Sequence, residues 1–173
     1  MINACISIFP NFEKALYSLH CIFAAKYNAM ALMTAERTIG DYGMTITDSA
    51  GHTMIIDILK EQGGNGSGFR PMQTVLAALC GCSTADVVGI LKKQRQDLKT
   101  LKIFVDGERE KGKEPALWQT IEMRFEMTGE IDPSKAYRAA ELSVTKYCSV
   151  AETLRSAGAT ISFQVIVNGK EVK

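Results

Sequence analysis

The chain has 173 residues, 46% of them hydrophobic and 23% charged, with 20 basic against 19 acidic side chains and a formal net charge of +1. This composition excludes a disordered tail, a collagen-like repeat and a polybasic nucleic-acid binder, and with no run of like charges it offers no footprint for DNA, RNA or an anionic membrane. At ~150 residues per domain the length sets about one domain, large enough to build a core without staples.

Five cysteines, an odd number at irregular spacing, argue against a secreted disulfide framework and for a reducing, cytoplasmic compartment. No continuous apolar run reaches the ~18 to 20 residues of a membrane span; the richest, residues 15–25, is interrupted by Tyr17, Ser18 and His20. Glu13 beside Lys14 does not suit a signal peptide either. No membrane partner is expected.

Residues 1–33 keep neither a strand nor a helix period for long, although residues 15–27 suit one amphipathic helix, and they read as an appendage to a domain spanning 34–173. Short strands come next: residues 43–47 place Met44 and Ile46 on one face, residues 48–51 carry turn chemistry, and residues 52–58 are β-rich. The glycine-rich stretch 63–68 matches neither dinucleotide nor phosphate-loop spacing, so it reads as a flexible connector and no cofactor is expected.

Pro71 suits the first turn of a helix. Val75, Leu76, Leu79, Val87, Ile90 and Leu91 then predict a long helix running to about Asp97. Residues 102–106 and 118–127 read as strands around a polar loop. In the second, Ile121, Met123, Phe125 and Met127 face one way and Glu122, Arg124 and Glu126 the other. Asp132 caps a second long helix beginning at Pro133, with Tyr137, Ala140, Val144, Tyr147, Ala151 and Leu154 inward, until Gly158 stops it; a strand with Ile161, Phe163, Val165 and Val167 on one side closes the chain. This order predicts an α+β fold: a mostly antiparallel sheet carrying two long central helices.

Cys82 lies mid-helix in Leu79-Cys-Gly-Cys-Ser-Thr-Ala-Asp86, too far from the helix start for the dipole to stabilise a thiolate, and on this pattern alone it reads as a small core hydrophobe. Asp86, one turn on, opposes a thiolate unless an arginine or lysine outweighs it. Cys80 and Cys82 point to opposite sides of a helix and share neither a bridge nor a metal. With two histidines and no Cys-x-x-Cys, a zinc site would have to gather ligands from unrelated segments, and no metal is expected. Ser149-Val-Ala-Glu152 reads as a capping box; either the second helix breaks and restarts at Ser149, leaving Cys148 before a helix N-terminus where its pKa falls, or the helix is unbroken and Cys148 sits on its inner face.

Arg70-Pro-Met-Gln-Thr74, the Cys82 segment through Leu91, and Lys146-Tyr-Cys-Ser-Val150 together resemble the OsmC/Ohr family, osmotically induced protein C and the organic hydroperoxide resistance protein, in its small OsmC-like branch. The resemblance implies an intertwined homodimer with active sites at the subunit interface. Cys82 would then be the peroxidatic thiol and Cys148 the resolving one, reducing organic hydroperoxides at the expense of a dithiol reductant. It also implies an activating arginine, for which Arg37 is the candidate and Arg70 the nearer substitute. Where the peroxidases of the family carry a glutamate after the helix-starting proline, this chain has Met72, and Gln73 is the residue left to orient an arginine through a neutral hydrogen bond. The alternative within the same fold is a non-catalytic binding or redox-sensing protein.

Overall fold

In the computed structural model, residues 32–173 are described. The appendage and its amphipathic helix fall, but for the last two residues, outside them. The described residues fall into two compact units, divided between Pro71 and Met72.

In the first unit, β1 (Met33–Ile39), β2 (Gly43–Asp48) and β3 (Thr53–Ile56) form an antiparallel sheet in sequence order. The β2–β3 turn is held by Asp48, whose Oδ1 accepts the Ala50 and His52 amides at 2.9 Å each and whose Oδ2 meets His52 Nδ1 at 2.9 Å.

The stretch after β3 is not the flexible connector that its glycines suggest. Asp57, 1% exposed, accepts the Ile58 amide on Oδ1 at 2.8 Å and the Asn65 and Ser67 amides on Oδ2 at 3.0 Å each. A short 3-10 turn (Lys60–Gln62) and the Gly66 amide donating to the Ile58 carbonyl complete the wrap. A Cβ at Gly64 would stand 2.3 Å from the Ile58 carbonyl oxygen, so close backbone approach, and not looseness, sets the residue type here.

In the second unit, α1 (Pro71–Lys93) buries Leu79, Ser83, Val87 and Leu91, a stripe at four-residue steps. It stops short of the predicted Asp97 because Arg95 turns left-handed at φ 57°, and the Gln96 amide returns to the Leu91 carbonyl. By length and composition alone α1 is long and apolar enough to cross a membrane, a property that polar residues interrupting its apolar runs conceal in the sequence; 22% of its most apolar stretch is buried within this chain.

The second sheet runs β4 (Asp97–Arg109), β5 (Trp118–Glu130), β6 (Thr160–Val167), β7 (Lys170–Val172), in that spatial order. The alternation read in β5 holds, with Ile121, Met123, Phe125 and Met127 buried. β4 and β5 are longer than expected, β7 is additional, and β6 lies parallel to β5. The parallel pairing results from the connection: a helical crossover returns the chain to the same end of the sheet, which a hairpin cannot do.

That crossover is not the predicted second long helix. α2 (Pro133–Leu142) starts as expected, with Asp132 Oδ1 accepting the Ser134 and Lys135 amides at 2.8 and 3.2 Å. A π-helical turn (Ser143–Tyr147) interrupts it, and α3 (Ser149–Ser156) comes after the break. The wider turn holds an extra residue and shifts the phase of the downstream chain by about 100°. Val144, Cys148, Ala151 and Leu154 stay inside, whereas Tyr147, predicted inward, is 51% exposed. Phe163 of β6 packs at a tilt against Tyr137 of α2, ring centres 5.5 Å apart, and meets Phe125 edge-on at 6.4 Å, joining helix to sheet.

Candidate functional site: two thiols and a carboxylate

Cys82 and Asp86 are one turn apart on α1 and therefore share a face. Cys148 reaches the same place from the break between α2 and α3. The sulfurs of Cys82 and Cys148 and a carboxylate oxygen of Asp86 all lie within 4.8 Å of one another. Cys80 is not among them, as the helical period requires. All three described cysteines are free thiols.

The break is real, but its cap lies one residue before the expected Ser149. Cys148 itself is the N-cap of α3, and its sulfur accepts the Ala151 amide at 3.4 Å. The capping box does not form: Glu152 pairs with Arg155 at 2.8 Å, and the Ser149 carbonyl accepts the Thr153 hydroxyl at 2.9 Å. Arg155 also donates to the Val144 carbonyl, tying α3 back to the π-helical turn.

The fall in the Cys148 pKa that a restarted helix would bring does not occur. Burial, first, and the neighbouring Cys82 thiol push it up, and the opposing pull of the Ala151 amide and the Ser83 hydroxyl does not compensate. Burial also raises the Cys80 thiol.

Two serines complete the surroundings, and neither was singled out in the sequence. Ser143, fully buried at the first position of the π-helical turn, donates its hydroxyl to Asp86 Oδ2 at 3.0 Å. Ser83, fully buried beside Cys82 in the chain, forms no hydrogen bond through its hydroxyl, although it lies near enough to the Cys148 sulfur to favour the anion there. Ser83 was legible only as a polar residue recurring in an apolar stripe between Leu79 and Val87.

The remaining predicted site residues lie elsewhere in the chain. Arg37 is exposed on β1 of the first unit, with its guanidinium 3.9 Å from Asp41. Arg70 is exposed just ahead of α1. Gln73 lies in the first turn of α1, about 13 Å along the axis from Cys82 at 1.5 Å per residue.

The α+β fold is shared with solved OsmC-like proteins, and the sequence profile of the OsmC-like protein family matches residues 64–164. The chain belongs to that family. It is 38% identical over 123 residues to Protein YhfA of Escherichia coli K12, covering 68% of this chain and 86% of that one. Among solved structures it is similar to a protein of Aquifex aeolicus VF5, with 28% identity and a TM-score of 0.67 over 80% of this chain and 98% of that one. It also shares its fold with an organic hydroperoxide resistance protein OsmC of Legionella pneumophila, with 14% identity and a TM-score of 0.59 over 80% and 96% of the two chains.

Proposed function

We propose that this protein is a thiol-dependent reductase of organic hydroperoxides in the reducing cytoplasm, acting as a homodimer of a domain spanning residues 34–173. The observation that carries the reading is the approach of Cys82 and Cys148, brought within 4.8 Å from two separate helices. Membership of a family with relatives named for hydroperoxide resistance supports the substrate class.

Exposure divides the roles. Cys82 is half-buried and open to an incoming peroxide, whereas Cys148 is 1% exposed and meets only what Cys82 has become. The Cys82 thiolate attacks the terminal peroxide oxygen, the O–O bond breaks, and an alcohol leaves. Cys148 then attacks the sulfenic sulfur, forming the disulfide and releasing water, and a dithiol reductant restores both thiols. Arg37 and Gln73 would serve the attack as activating cation and its orienting partner. The apolar length of α1, little of it buried within one chain, supports a second copy lying against it.

The test is a thiol titration with dithionitrobenzoate on fully reduced protein, before and after one equivalent of cumene hydroperoxide, then disulfide mapping. Loss of two thiols per chain and a Cys82–Cys148 bridge is the expected result. No loss would favour the non-catalytic binding or sensing protein, and a bridge containing Cys80 would overturn the roles. Light scattering that gives a monomer at micromolar concentration would remove the dimer.

A further inference from the structure

The proposed peroxide reduction gives no role to Asp86, whose carboxylate lies within 4.8 Å of the two sulfurs. We propose that Cys82, Asp86 and Cys148, when reduced, form a binding site for a thiophilic divalent cation of the zinc type.

The donor set suits such an ion. Two sulfurs and one carboxylate oxygen, mutually within 4.8 Å, are three ligands of the kinds zinc takes, with a fourth position left for water. A tetrahedral ion with zinc–sulfur bonds of ~2.3 Å and a zinc–oxygen bond of ~2.1 Å sets its donors about 3.6 to 3.8 Å apart. Closure therefore asks for a shift of about 1 Å at most. With so few histidines and no Cys-x-x-Cys, such ligands had to come from unrelated segments, and α1 and the α3 cap are those segments.

The groups behind the ligands agree. Asp86 Oδ2 accepts the buried Ser143 hydroxyl, which fixes the carboxylate as hydrogen bonds behind a metal ligand do. Ser83 Oγ is fully buried within reach of the Cys148 sulfur, where it would donate to a metal-bound Cys148 thiolate.

Metal and peroxide would compete for the same sulfurs. Binding releases two thiol protons. One hydroperoxide then takes two electrons from the two thiolates: the sulfur–sulfur bond forms, the O–O bond breaks, and with two protons from solvent the products are an alcohol, water and the freed ion. The cation would thus shield the resting dithiol and leave when it is oxidised.

The test uses reduced, full-length protein under anaerobic conditions, titrated with Co²⁺ as a spectroscopic stand-in. One equivalent should produce a thiolate-to-cobalt charge-transfer band that Zn²⁺ abolishes. The band should vanish in Cys82→Ser or Cys148→Ser, persist in Cys80→Ser, and need at least tenfold more metal in Asp86→Asn. Absence of the band in the parent protein, its survival in Cys148→Ser, its loss in Cys80→Ser or an unchanged affinity in Asp86→Asn overturns the site. Because a variant can fail to fold, the parent protein is also alkylated with and without Zn²⁺ and mapped; slowing of Cys82 but not of Cys80 by Zn²⁺ is expected, and a Cys82 rate that Zn²⁺ leaves unchanged refutes it. Cumene hydroperoxide added to the cobalt-loaded protein separates the two proposals: a band that forms normally and resists peroxide leaves the metal site standing and removes the peroxidase.

Discussion

The hydrogen bond from Ser143 to Asp86 is the fastening whose strength is most directly measurable. Its donor is fully buried and its acceptor is a half-buried carboxylate at 3.0 Å, so the bond joins the helix break to α1 away from bulk water. A hydrogen bond to a charged group contributes about 1.5 to 3 kcal/mol, and Ser143→Ala should cost about 2 kcal/mol. For a chain of this size that lowers the melting temperature by about 4 to 8 °C. Asp86→Ala alone should also destabilise, because it strands a buried hydroxyl. The double variant removes donor and acceptor together and should be no less stable than Ser143→Ala. Urea denaturation of all four proteins at neutral pH, with reductant and a chelator, closes the cycle. A double variant whose loss equals the sum of the single losses would show that the two groups do not interact, and that Asp86 is held by something else.

Asp57 supplies a pH prediction. The Ser67, Ile58 and Asn65 amides hold its folded carboxyl below the ordinary 3.8, with burial opposing them. A depressed folded pKa contributes stability that is present above the unfolded value and lost as pH falls through the folded one. The urea-midpoint advantage of the parent over Asp57→Asn should therefore shrink on acidification from pH 6 to below about 3.8, and a constant difference would refute the linkage. In the core, Phe125 is fully buried on the inner face of β5, edge-on to Phe163 of the neighbouring strand, and Phe125→Ala should cost about 3 to 5 kcal/mol in the same assay; a loss below about 1 kcal/mol would mean that the β5 face is not packed as described.

Much of this was legible in the sequence. The period-two alternation of β5, the Asp132 cap before Pro133 and the stripe on α1 are local signals, and local physics decided them. The family resemblance pointed to Cys82 and Cys148 before any geometry was available. The π-helical turn was not legible in that way, because no proline or glycine marks it and every residue from Ser143 to Tyr147 is compatible with an ordinary helix; the inward placement of Tyr147 failed with it. The order around Asp57 was hidden for another reason. A run of glycines looks the same whether it is loose or wound round a buried carboxylate. Ser143 and Ser83 depended on which helix faces meet, a tertiary fact that spacing along one segment does not contain.

The π-helical turn also makes the position of a sulfur a matter of counting. Each residue of helix advances the chain by about 100°. Were the turn to stay wide, removing one residue between Leu142 and Cys148 would therefore swing everything downstream by that angle while leaving the composition almost untouched. Cys148 would leave the neighbourhood of Asp86, and Tyr147 would turn with it. A point substitution alters what stands at the site, but a single-residue deletion here alters who stands there. Two chains of this family with the same motif around this cysteine can thus present different chemistry if their turn lengths differ, and a comparison that aligns the motif but ignores the count will not see it.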